Sequence, residues 1–168
     1  ITSKPEKHIA YNGVWVRQTY ADKGLAILDI SAELVNTNGF TAKITAPNGE
    51  TFEYNTESDA ILAEIKNPML WDIDEPNLYA VEITLENGYS ETVRFGIRMC
   101  EFTKQGFFLN GRYLKMNGVC MHHDLGSLGA AVSVAAMRRQ LELLKEMGVN
   151  SIRTSHNPPA PEFLDLCD

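Results

Sequence analysis

Long apolar runs are missing from this sequence. No stretch of its 168 residues approaches the roughly 20 apolar residues that cross a bilayer, and Ile1 to Ala10 lacks the charged-then-apolar layout of a signal peptide. Basic runs are missing too. With 22 acidic residues against 15 Lys and Arg, the formal net charge is −7, and an acidic surface repels the phosphates that dominate nucleic-acid affinity. Neither a membrane nor a nucleic acid is therefore expected as a partner, and the chain is expected to be soluble. Cysteine is scarce: Cys100, Cys120 and Cys167 are odd in number and widely spaced, which fits neither a disulfide framework nor a paired zinc motif. They read as free thiols. Because Ile1 to Tyr11 is neither an initiator region nor a targeting segment, the start looks cut and the compartment stays open.

What is present is the composition of a globular protein of one or two domains, 44% hydrophobic and 22% charged. From Val14 to about Cys100, apolar residues recur at every second position in short runs broken by turn residues, the pattern of strands with one buried face. Ala26, Leu28, Ile30, Ala32 and Leu34 alternate with Asp29, Ser31 and Glu33. Phe40, Ala42, Ile44 and Ala46 repeat the pattern, Pro47-Asn48-Gly49 turns the chain, and Phe52 and Tyr54 resume it. A second hairpin runs from Tyr79, Val81, Ile83 and Leu85 through Asn87-Gly88 to Val93, Phe95 and Ile97. About seven strands in this length predict an immunoglobulin-like sandwich over residues 1–101, with Leu28, Ile30, Leu34, Ile44, Val81, Ile83 and Phe95 facing inward.

Near Phe102 the pattern changes. Phe107 to Leu109 meets Asn110-Gly111, a two-residue hairpin signal, and Tyr113 to Met116 returns. Gly118 to Met121 reads as a strand, Ser133 as the cap of a helix carrying Met137, Leu141, Leu144 and Met147, Gly148 as its stop, and Asn150 to Thr154 as a second strand. Strand, helix and strand in that order form a βαβ unit with parallel strands. Glu162 to Asp168 reads as a further helix that stops in mid-turn, so residues 102–168 are expected to be the start of a truncated barrel. One βαβ unit cannot cover its own strands, so Leu141, Leu144, Met147 and Ile152 are expected to be more exposed than the sandwich core unless self-association covers them.

His122, His123 and Asp124 follow the first parallel strand, and Arg153, Ser155, His156 and Asn157 end the second. Adjacent strands lie about 4.8 Å apart, and sites in such folds form at the C-terminal ends of strands. A lone histidine at a strand end is ordinarily a satisfied hydrogen-bonding residue; two polar clusters on one rim point instead to a site. A metal held by His122, His123, Asp124 and His156 is disfavoured because neighbours on an extended chain point apart. Ser155 beside His156 lacks a Gly-x-Ser-x-Gly elbow, and adjacent side chains diverge, which disfavours a nucleophile and base. Trp71 could offer a sugar-stacking platform, but its position at a strand turn favours a structural anchor.

Asn110-Gly111, Gly118-Val119-Cys120-Met121-His122-His123-Asp124, Arg153-Thr154-Ser155-His156-Asn157-Pro158 and Phe163-Leu164-Asp165-Leu166-Cys167-Asp168 together resemble the β-galactosidase, β-glucuronidase and β-mannosidase family, glycoside hydrolase family 2. Leu70-Trp71, Pro76-Asn77-Leu78-Tyr79 and Phe95-Gly96-Ile97-Arg98 extend the resemblance upstream to the end of that family's central sandwich. The resemblance implies a mainly β chain: an immunoglobulin-like sandwich followed by the first βαβ unit of a (β/α)8 barrel. It also implies a bacterial parent, whether periplasmic, secreted or cytoplasmic, that is a retaining exo-β-glycosidase whose two catalytic glutamates lie on later barrel strands, outside this chain. His122 and His156 match histidines that hold sugar hydroxyls near the transition state, and Arg153 an arginine that orients the nucleophile; Asp124 and Asn157 complete the expected substrate-supporting set. No cofactor is expected in this chain, while a divalent cation is left open for the full-length parent. The expected partner is a β-linked galactoside or oligosaccharide, favoured over glucuronides and mannosides by the stretch from His122 to Val132.

A different class of function also fits the first half: a non-catalytic immunoglobulin-like module that binds carbohydrate or protein, followed by a linker. The second half argues against it. A linker has no need of a capped amphipathic helix with a glycine stop, nor of histidines after two strand ends.

Overall fold

The computed structural model describes residues 3–168, in two compact units that divide between Met99 and Cys100. Each is taken by itself. The first holds β1 (His8–Ala21), β2 (Leu25–Val35), β3 (Phe40–Thr45), β4 (Thr51–Thr56), β5 (Ala60–Lys66), β6 (Tyr79–Thr84) and β7 (Ser90–Phe95). Two antiparallel sheets form, in the orders β1-β2-β5 and β4-β3-β6-β7. This is the immunoglobulin-like sandwich that the alternation predicted, and it begins at His8 rather than Val14.

Ala26, Leu28, Ile30 and Ala32 on β2 are buried with Ala42, Ile44, Val81 and Ile83 from the other sheet, while Asp29 and Ser31 are half-buried and Glu33 is exposed. Leu34 and Phe95, also expected inside, are half-buried against the same core. Pro47-Asn48-Gly49 and Glu86-Asn87-Gly88 make the same kind of turn. Gly49 and Gly88 donate to Ala46 O and Leu85 O, each 2.9 Å, with φ of +88° and +82°, the left-handed step that closes a three-residue hairpin loop.

The upstream family motifs pin the chain between β5 and β6. Tyr79 OH accepts the Met69 N–H at 2.8 Å, Asn77 Nδ2 donates to Leu70 O at 3.0 Å, and the Trp71 N–H donates to Ile97 O at 2.7 Å. Trp71 is half-buried, with the Arg98 guanidinium 5.4 Å from its ring centroid. A Cβ on Gly96 would lie 2.6 Å from Trp71 Cβ and 2.7 Å from Cγ. The indole thus closes on the backbone of β7's exit, which is an anchor's position. Gly96→Ala is expected to destabilise the sandwich by about 1–3 kcal/mol through this overlap, read as a lower urea midpoint; an unchanged midpoint would show that Trp71 is free to move.

The second unit opens with an antiparallel meander of β8 (Cys100–Thr103), β9 (Gly106–Leu109) and β10 (Arg112–Tyr113). Asn110 and Gly111 have φ of +53° and +77°, as a two-residue hairpin with both central residues left-handed requires. The returning strand is shorter than the expected Tyr113 to Met116, and β8 was not foreseen. Next come β11 (Gly118–Met121), a single 3-10 turn (Gly126–Leu128), α1 (Val134–Glu146), β12 (Ser151–Thr154) and α2 (Pro161–Cys167). β11 and β12 are parallel, with Met121 opposite Thr154. This is the βαβ start of a barrel.

Local chemistry sets the ends of α1. Ser133 Oγ accepts the Ala136 N–H at 3.3 Å, and past Met147 the N–H groups of Gly148 and Val149 turn back to Lys145 O and Leu144 O, the paired bonds of a glycine-closed C-terminus. Asn150 ties the entries of both strands: its side chain accepts from Asn117 N–H and donates to Lys115 O, each at 2.9 Å. Of α1, Met137 is buried, Leu141 and Leu144 are half-buried and Met147 is 76% exposed; Ile152 on β12 is half-buried. Leu141, Leu144, Met147 and Ile152 are more open than the sandwich core, as expected for one βαβ unit.

Candidate functional site

The parallel ladder continues one step past the strands, because the Ser155 N–H donates to Met121 O at 2.9 Å. The residues that follow are therefore brought level, and the rings of His122 and His156 meet edge to face with centroids 5.8 Å apart and an interplanar angle of 68°. Both are exposed. The convergence expected from topology is an actual ring contact.

His156 also carries a feature that periodicity could not show. Its φ is +66°; the other non-glycine residues with positive φ among those described are all asparagines, Asn12, Asn36, Asn67 and Asn110. Left-handed backbone costs an ordinary residue about 1–2 kcal/mol, and such positions cluster at functional sites. A sequence signal was available. Pro158 disfavours helical backbone at Asn157, so a sharp turn between β12 and the proline loop falls on His156. His156→Gly is accordingly expected to leave the chain about 1 kcal/mol more stable than His156→Ala, measured by thermal unfolding; equal stabilities would mean that the strain is relieved by local rearrangement.

Below the rim lies a small pocket lined by His122, His123, Asp124 and Asn157 together with Met121, Thr154 and Ser155, and floored by Met137 and Phe163 from the two helices. Ser155 is buried, so it belongs to the support of the rim rather than to an accessible nucleophile. Arg153 sits apart from this pocket. It pairs with Cys120 in register, and both are exposed, whereas Met121 and Thr154 on the alternate positions are half-buried and line the pocket. Of the five residues expected to support substrate, the structure thus brings His122 and His156 into contact, sets His122, Asp124 and Asn157 around one pocket, and leaves Arg153 on the other face of β12.

The side chains of Asp124, Arg153 and Asn157 form no hydrogen bond or ion pair with the described residues. An unengaged guanidinium presents a planar fork of donors suited to a carboxylate. Two imidazoles, each with a donor and an acceptor when neutral, suit a polyhydroxylated ligand. No group of three or more His, Cys, Asp or Glu able to hold a metal ion occurs among the described residues. No helix among them is long and apolar enough to cross a membrane.

Comparison with known proteins agrees with both halves. The description "Glycosyl hydrolases family 2" matches residues 8–98, and "Glycosyl hydrolases family 2, TIM barrel domain" matches residues 100–168. The chain is 41% identical to Beta-galactosidase BoGH2A of Bacteroides ovatus, over 96% of this chain and 21% of that protein. It is 32% identical to a putative beta-glucuronidase of Formosa agariphila, over 96% of this chain and 17% of that protein. Among solved structures, a beta-glycosidase from Bacteroides vulgatus superposes with a TM-score of 0.82 at 37% identity, over 96% of this chain and 23% of the other. A Parabacteroides merdae beta-glucuronidase does so with a TM-score of 0.84 at 29% identity, over 97% and 22%. The chain spans about a fifth of the length of these relatives. With both of its units matched, one as the sandwich and one as the opening of the barrel, the chain belongs to glycosyl hydrolases family 2.

Proposed function

We propose that this chain is the central segment of a retaining, exo-acting β-glycosidase that removes terminal β-galactosyl residues, and that it supplies the sugar-holding side of the site rather than the reacting acids. The observation that carries this is the contact of His122 with His156 at the C-terminal ends of two parallel strands, in a chain of this family. Retaining hydrolysis needs two carboxyl groups about 5 to 5.5 Å apart, one protonating the leaving oxygen and one attacking the anomeric carbon. Asp124 is the one acid of the rim clusters, and the polar group after β12 contains none. The chain by itself is therefore inactive.

What its residues do follows from the transition state. As the sugar ring flattens toward an oxocarbenium ion, its hydroxyls gain from contacts that strengthen at that moment, and the imidazoles of His122 and His156 donate and accept there. Arg153 grips and aims the carboxylate nucleophile, keeping it ionised; Asp124 and Asn157, whose side chains engage no other described residue, hold further hydroxyls.

The galactoside reading is supported by the 41% identity to a relative named a beta-galactosidase and by the stretch from His122 to Val132. A β-glucuronidase is the second reading, favoured by relatives that carry that name; a β-mannosidase rests on the family resemblance alone. Assaying the longer protein against nitrophenyl β-galactoside, β-glucuronide and β-mannoside separates them. The galactoside should be hydrolysed with the highest kcat/KM, and a protein active only on the glucuronide would overturn the choice.

A further inference from the structure

The two sheets of the sandwich meet at two seams, and the seams are closed differently. On one side β4 and β5 are joined directly through residues 57–59, and Tyr54 OH donates to Glu64 O at 2.8 Å. The other seam lies between β1 and β7, each the edge of its own sheet. No main-chain ladder crosses it among the described residues. Side chains cross it instead, at its two ends. At one end Gln18 on β1 takes the place of a strand, its Nε2 donating to Arg98 O at 2.7 Å and its Oε1 accepting the Arg98 N–H at 3.0 Å. At the other end Lys4 Nζ donates to Ile9 O on β1 at 2.7 Å and to Glu91 on β7 at 2.8 Å, and Tyr89 OH donates to the same carboxylate at 2.5 Å. Beside them Lys7 forms an ion pair with Glu86, and its carbonyl accepts from Asn87 Nδ2 at 2.8 Å. Between the two ends the seam is an open slot flanked by Val14, Val16, Val93 and Phe95.

We propose that residues 4–8 are an acid-released clasp: Lys4 and Lys7 close one end of the β1/β7 seam through Glu91 and Glu86, and protonation of these carboxyls opens that end while Gln18 keeps the other shut. Two of the three links across the clasp are ion pairs, and neutralising one partner removes the charge that strengthens each. The Gln18 amide has no proton to gain in this range. Burial pushes the Glu91 carboxyl up, but the Lys4 ammonium and the Tyr89 hydroxyl outweigh it and hold it below the ordinary glutamate range; Lys7 does the same for Glu86. A carboxyl depressed in the folded state stabilises it above the unfolded pKa, and that contribution is lost as pH falls through the folded value. The clasp is therefore closed at neutral pH and opens in acid. The other charged groups facing it are His8 near Glu91 and Glu6 near Lys7. Charge on His8 favours the Glu91 carboxylate, so titration of His8 is not the trigger. Lys4 and Lys7 precede residues 8–98, the stretch matched to the family, and nothing in the clasp depends on the β-glycosidase reading.

Nitrogen–proton NOE measurements on the 168-residue chain, which report the order of each backbone amide, test this without substrate. At neutral pH, residues 6–8 and Arg98 should be as ordered as the core amides of Leu28 and Ile44. Below about pH 4, where glutamates take up protons, residues 6–8 should loosen in step with the carboxyl carbon shifts of Glu86 and Glu91 while Arg98 and the core amides hold. A variant carrying both Lys4→Met and Lys7→Met should be loose over residues 6–8 already at neutral pH and should lose the acid response. Gln18→Leu should loosen Arg98 and leave residues 6–8 ordered at neutral pH. Residues 6–8 that stay ordered through the carboxyl titration, that stay ordered in the double variant, or that loosen only together with the core would overturn the proposal. Any of these leaves the glycosidase reading untouched, and failure of the glycoside assays leaves the clasp untouched.

Discussion

In the longer protein, His156→Ala is expected to lower kcat by on the order of 100-fold, the loss typical when one preorganised donor to a transition state is removed. The argument starts from position. His156 follows β12, meets His122 edge to face, and is held with φ +66° at the strand ends. A contact that strengthens as the sugar ring flattens acts on kcat, while a contact equal in ground and transition state would act on KM. The expected split is therefore a large fall in kcat with a small change in KM. The fold should survive, because the side chain is exposed and takes part in no core. A variant with unchanged kcat and raised KM would reassign His156 to ordinary substrate binding.

The second large effect is on stability. Ile30→Ala is expected to cost the sandwich about 2–5 kcal/mol, because Ile30 is fully buried at the centre of β2, with Val16 and Ile61 opposite on the two neighbouring strands. Asp29 next to it points the other way and forms an ion pair with Arg17, whose side chain is exposed, so Asp29→Ala should cost under about 1 kcal/mol. Urea unfolding of both variants reads the difference. If Asp29→Ala were the more damaging, the assigned faces of β2 would be inverted, since a one-residue slip moves every side chain to the other face.

Those faces were legible from Ala26 to Leu34 because burial on one side forces strict alternation, and the hairpin turns were legible because left-handed steps select Asn-Gly and Gly. The same dipeptide elsewhere shows where local chemistry stops deciding. Asn12-Gly13 sits inside β1, whose residues on both sides pair with one strand: Ile9 lies opposite Leu34 and Val14 opposite Ala32, so residues 10–13 stand against Glu33 alone. The result is a large bulge with Tyr11 pushed out to 80% exposure, not a hairpin, because tertiary pairing on both flanks overrides the turn preference. The β8 strand was hidden for a related reason. Cys100 to Thr103 is exposed throughout, so it carries no alternation, and only its pairing with β9 makes it a strand.

In the site, the convergence of His122 and His156 was legible because parallel strands fix which residues end side by side. The separation of Arg153 from the pocket is a consequence of the two-residue period of β12, which places Arg153 and Thr154 on opposite faces.

The central claim is that this chain holds the sugar-supporting half of a glycosidase site and none of the reacting pair. Release of nitrophenol from nitrophenyl β-galactoside, measured across the pH range for the purified 168-residue chain and for the longer protein, tests it most directly. The longer protein should turn the substrate over and the chain should show no release above the uncatalysed background at any pH; turnover by the chain itself, or none by the longer protein on any β-glycoside, would contradict the account.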